Sequence, residues 1–147
     1  MAIEYHPFIV HFPIAITMVA ALIDLGRWIF DRERLLAATF WSGTTPLLIF
    51  ALIGGIAAVA SGLNAEPSET SEVVHELIEA HELLAFIATG LLALLSFWRI
   101  GLRGAFPRKA GFLYLVLLLA AAVVVGFGSY FGGQMVFTHG VGVDAVN

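Results

Sequence analysis

Four long apolar runs, with the cations gathered at one end of them and the histidines at the other, leave this chain few ways to fold. The runs cover roughly residues 8–30, 36–63, 71–99 and 111–137. Each reaches the length of about 20 mostly apolar residues that a bilayer-spanning helix needs. They are rich in Leu and Ala and do not alternate, which favours helix over strand. Only 12% of the 147 residues are charged, against about 25% in soluble domains, and the mean hydropathy is +0.95. The expected fold is all-α: a four-helix transmembrane bundle, up-down-up-down, forming a single membrane domain over residues 1–147.

The charges orient it. Arg27, Arg32, Arg34, Arg99, Arg103, Arg108 and Lys109 all lie where run one meets run two or run three meets run four. His6, His11, His75, His81 and His139 lie at the opposite ends. Basic loops stay on the cytoplasmic side, so the expected location is a bacterial cytoplasmic (inner) membrane, with both termini, the 64–82 connection and the histidines on the periplasmic side. Glu4, Glu66, Glu69, Glu72, Glu76, Glu79, Glu82 and Asp144 join the histidines. Asp24, Asp31 and Glu33 stay among the cations, and Asp24 is expected to pair with Arg27 one turn away. Trp28, Trp41 and Trp98 mark the aromatic belt at the basic end.

Several function classes drop out. With no Cys, disulfides, thiolate metal sites, Cys nucleophiles and covalent c-type haem are excluded. No basic groove-sized patch favours nucleic acid. The amino-terminal residues lack the basic region of a cleavable signal peptide. The middle thirds of the runs lack ionisable groups, which argues against transport of a charged substrate. No HExxH-type or other catalytic motif is present, so an electron carrier is favoured over an enzyme.

Local signals refine the helices. Pro7 suits a first helical turn, whereas Pro13 and Pro46 lie deeper and are expected to bend their helices. Pro67 ends the second connection, and the Ser-Glu-Thr-Ser-Glu run after it supplies N-caps for the third span. Thr17 and Thr89 are expected to bond their own helix backbone. Gly54, Gly55, Gly126, Gly128, Gly132 and Gly133 permit close helix approach or room for a flat macrocycle.

The histidine end is the candidate site. Imidazole is the commonest metal ligand and titrates near neutral pH, and bundles build cofactor sites from facing helices. His11 lies about one turn inside the first span, His81 at the water–lipid boundary of the third, and His139 directly after the fourth. His6 is shallower, and His75 belongs with Glu72, Glu76 and Glu79 on a solvated face. Tyr130 and Gln134, four apart on the last span, share a face and are placed to orient an imidazole. The leading expectation is a b-type haem held by His11 and His81, with His6 and His139 nearby, exchanging electrons with a partner protein. The alternatives are a zinc or copper site built from His6, His11, His81 and His139 with Glu4 or Glu82, and a cofactor-free accessory subunit of a larger membrane complex or homo-oligomer.

Two terminal motifs carry a family resemblance. His6-Pro7-Phe8-Ile9-Val10-His11-Phe12-Pro13-Ile14-Ala15 resembles the opening of the DUF2231 family of small multi-pass membrane proteins. Gly132-Gly133-Gln134-Met135-Val136-Phe137-Thr138-His139-Gly140-Val141-Gly142-Val143 is similar to that family's closing signature, and His81 with the following residues is similar to the start of its third helix. The resemblance spans nearly the whole chain. It implies a four-helix membrane domain with matched positions His6, His11, His81 and His139. Relatives beside c-type cytochrome modules imply redox work. Where the family has a Thr-Gly-Leu-Asp-like end to helix two, this chain reads Ser61-Gly62-Leu63-Asn64, so no acidic role carries over to Asn64, and none is assigned to His75.

Overall fold

The computed structural model describes residues 2–64 and 71–142, with side chains from Tyr5 onward. Five helices follow one another: α1 (Ala2–Phe30), α2 (Arg32–Leu36), α3 (Thr45–Leu63), α4 (Glu72–Gly101) and α5 (Gly111–Phe137). Four of them, α1, α3, α4 and α5, are long and apolar enough to cross a membrane. The chain is a multi-pass membrane protein with a helical bundle fold. Pro67, Glu66, Glu69, Asp144 and the Glu4 side chain lie outside the described residues.

The second span is shorter than its apolar run. Residues 36–44 do not extend it; they form the end of α2 and a tight turn. Asp31 caps α2 by accepting from the Arg34 backbone N–H at 3.2 Å. The Thr39 and Ser42 side chains then bond each other and the turn backbone. Pro46 sits in the first turn of α3, where its missing N–H costs nothing. It therefore starts this helix instead of bending it. Pro7 departs the other way: α1 begins at Ala2, so Pro7 and Pro13 both lie inside it. Ser71 caps α4 as its sequence suggests, accepting from the Val74 N–H. At 30 residues, α4 is about 45 Å long, against a hydrocarbon core of about 30 Å. Its first turns, with the exposed His75–Glu79 pair at 3.3 Å, extend past the apolar stretch.

The four spans close a ring in the order α1, α3, α4, α5, each packing on its two neighbours. α1 and α4 are thus diagonal and run parallel. Leu48, Leu92, Leu95, Leu118, Ala20, Ala51 and Ala121 fill the middle with almost no exposure. Lipid is as apolar as these side chains, so close packing and polar contacts hold such a bundle together. Small residues permit the approach. A Cβ on Gly54 would lie 3.0 Å from Pro13 Cδ, and one on Gly55 3.1 Å from Thr89 Oγ1.

The basic end is knotted by a buried polar group. Asp24 Oδ2 accepts from Thr44 Oγ1 at 2.7 Å and from the Tyr114 hydroxyl at 3.1 Å. Arg99 Nη1 stands 3.8 Å from the same oxygen, both side chains fully buried. Arg99 Nε donates to Thr45 Oγ1, which donates to the Gly104 carbonyl. The guanidinium also lies over the Tyr114 and Phe106 rings at 5.5 and 5.8 Å. Asp24 therefore pairs with Arg99 and not with Arg27. It faces the bundle interior, while Arg27, three residues on, is turned toward the connection and donates to the Ser42 carbonyl. Thr17 is a second correction: it is fully buried and its Oγ1 finds no hydrogen-bond partner among the described residues.

Candidate functional site

His6 precedes Asp24 by eighteen residues on α1, and His81 precedes Arg99 by eighteen on α4. Eighteen residues are five whole helical turns, so each pair shares one helix face and is separated by about 27 Å. Because Asp24 and Arg99 meet across the diagonal, His6 and His81 meet the same way at the far end. Their ring centres lie 6.2 Å apart at an interplanar angle of 82°.

The hydrogen bonds around the rings define their tautomers. His81 Nδ1 donates to the Gly128 carbonyl of α5 at 2.9 Å. His6 Nδ1 bonds Ser61 Oγ of α3 at 2.8 Å. The Ser61 hydroxyl gives its one hydrogen to the Ala58 carbonyl, so His6 is the donor in that contact. His11 Nδ1 bonds the Pro7 carbonyl one turn back on α1. In all three imidazoles Nδ1 carries the proton and Nε2 keeps its lone pair, the form in which a neutral His ligates a metal or accepts a proton. Two glycines make room for the rings. A Cβ on Gly62 would come 3.1 Å from His6 Cε1, and one on Gly132 3.3 Å from His81 Cε1.

These rings border a cavity of about 430 Å³ in the histidine half of the bundle. Its walls are mostly apolar, from Ile14, Ala85, Leu92 and Val125, with His6, His11, His81, Glu82, Thr89 and Ser129 as the polar side chains. Gly55, Gly62, Gly128, Gly132 and Gly133 line it as well, so the glycines serve both close packing and internal space.

The remaining sequence candidates lie elsewhere. His139 is exposed beyond the end of α5, outside the cavity lining. Gln134 Nε2 donates to the Tyr130 hydroxyl at 2.6 Å, as their spacing suggests, but Tyr130 is 60% exposed and the pair orients no imidazole. His75 is on the solvated face expected of it, bonded to Glu79. Among the described residues no three His, Asp or Glu side chains gather in a way that could hold a metal ion. Ser61 and the backbone of Gly128, which set the two tautomers, carried no signal in the sequence. The eighteen-residue offset that His6 and His81 share marks their pairing only once the Asp24–Arg99 contact and the diagonal placement of α1 and α4 are known.

Fold and site together define a small multi-pass helical membrane protein with an interior histidine pair. The chain belongs to the DUF2231 family, described as a predicted membrane protein, whose model matches residues 2–145. No curated protein and no solved structure matches it.

Proposed function

We propose that this protein binds a b-type haem in the histidine-end cavity and carries electrons at the membrane surface. One observation carries the reading: two imidazoles from diagonal helices approach to 6.2 Å between ring centres, each with Nδ1 hydrogen-bonded to a neighbouring helix. At metal–nitrogen distances of about 2 Å, two imidazoles on opposite sides of one metal hold their ring centres about 6 Å apart. Two are what a six-coordinate haem takes from a protein. A zinc or copper site would take three or four ligands, and the described residues supply no such group.

The residues fit the group in other respects. The carbonyl of Gly128 and the hydroxyl of Ser61 would fix the orientation of His81 and His6. Apolar walls and glycine-lined space suit a macrocycle, and burial tunes the potential of the iron. When bound, the haem supplies one-electron chemistry; the chain holds it, orients its ligands and limits water. His6 replaces His11 as the proposed partner of His81, because His6 is the ring set against it. His11 and Glu82 line the same cavity. With the basic loops inside, the site lies toward the periplasmic face of a bacterial inner membrane, where a water-soluble redox protein is the partner.

A reduced-minus-oxidised visible spectrum of the detergent-purified protein tests this. A b-type α-band that disappears in His6→Ala and His81→Ala, and survives in His75→Ala, supports it. A blank spectrum alongside stoichiometric zinc or copper by elemental analysis overturns it.

A further inference from the structure

α1 and α5 share the smallest interface of the four neighbouring pairs. They are clasped at the basic end, where Tyr114 donates to Asp24. At the histidine end both helices line the cavity, α1 through Val10, His11 and Ile14 and α5 through Gly133 and Val136. His11 stands at this seam. It is exposed, as are Phe8 and Phe12 beside it on α1, and all three belong to the membrane-spanning stretch. His11 thus both lines the cavity and is exposed; among the described residues its Nε2 has no hydrogen bond, and a lone pair in the membrane is costly unless a polar group meets it.

From this seam we infer a lateral portal for a hydroquinone of the lipid phase, with His11 as the group that receives its hydroxyl. The inference rests on the haem reading of the same cavity. The ligand chemistry follows from the two surfaces that meet here. The apolar cavity wall and the lipid select a molecule with an apolar ring and tail. The Nε2 lone pair selects an O–H donor at one end of it. A hydroquinone satisfies both and is a reductant that a one-electron centre can oxidise in two rounds. A haem held by His6 and His81 would supply the one-electron acceptor: in each round the hydroquinone would give one electron to it and one proton to His11 Nε2. A water-soluble one-electron acceptor at the histidine face would take the electron on, and the His11 proton would leave to water. After two rounds the hydroquinone has become quinone, with two electrons and two protons accounted for.

Two readouts test the portal. A short-chain azidoquinone, photolysed with the purified protein, is expected to label α1 between Val10 and Ile14 in preference to the rest of the lipid-facing surface. A label spread evenly over the four spans signals mere partition and overturns the portal. In haem-loaded protein, anaerobic short-chain hydroquinone is expected to raise the ferrous α-band. His11→Ala should slow that reduction at least tenfold while dithionite still reduces the protein fully. Equal hydroquinone rates in wild type and His11→Ala overturn the role of His11. Absence of haem from every preparation instead removes the haem reading, and the photolabelling still decides whether the portal exists.

Discussion

The Asp24 carboxylate and the Arg99 guanidinium stand 3.8 Å apart across the diagonal of the bundle, neither side chain reaching solvent. Thr44, Thr45, Tyr114 and the Gly104 carbonyl complete the group. It ties α1, the starts of α3 and α5, and the α4–α5 connection to one point. Breaking a buried pair by removing one charge leaves the other uncompensated, at a cost of about 3–5 kcal/mol. Arg99→Met and Asp24→Leu should each lower stability by that order. The double variant should lose less than the sum, because no lone charge remains. Reversible unfolding in mixed micelles of increasing denaturing detergent measures all three.

Gly104 anchors the same knot from the backbone. Its φ is +81°, and a Cβ there would fall 2.3 Å from the Phe40 Cα. A backbone atom has no rotamer by which to retreat. Gly104→Ala should therefore destabilise by at least the roughly 1–3 kcal/mol of a strained backbone position, read as a lower unfolding midpoint in the same assay.

Thr17 predicts the opposite sign. Its hydroxyl is buried without a hydrogen-bond partner among the described residues, and Val has nearly the same shape. Removing an unsatisfied polar group at constant shape is close to neutral or stabilising. Thr17→Val should leave the midpoint unchanged or raise it, by up to about 1 kcal/mol.

The glycine beside His6 separates a site effect from a folding effect. A Cβ at Gly62 would press on His6 Cε1 at 3.1 Å, next to the Nδ1 that bonds Ser61. Gly62→Ala should displace the imidazole while the helix, freed of a glycine, loses no stability. The expected result is a weakened or shifted α-band with an unchanged unfolding midpoint.

Orientation is checked by labelling. His75, near the start of α4, and Arg103, just past its end, are both exposed. In intact cells an impermeant maleimide should modify His75→Cys, and Arg103→Cys only after permeabilisation. Labelling of both from one side would remove the transmembrane arrangement.

The helices were legible because periodicity, length and charge bias are local or additive properties of the chain. The Ser71 cap and the solvated face around His75 follow from neighbours within a few residues. The start of α3 was not legible, since residues 36–44 are as apolar as a span; the turn made by Thr39 and Ser42, with Pro46 behind it, decided the matter. The imidazole pairing was only half legible. His81 was singled out with His11, because His11 lies deeper in its apolar run. Depth along a helix is readable from sequence, but rotation about the bundle axis depends on which helices end up diagonal.

The amino-acid sequence by itself determined four apolar helices and the gathering of imidazoles at one end and cations at the other, because hydropathy and charge act on each segment separately. The tertiary structure alone decided that Asp24 answers Arg99, that His6 faces His81, and that the four spans enclose a cavity at the histidine end. Those outcomes depend on the cyclic order and rotation of the helices, which arise from packing between distant segments.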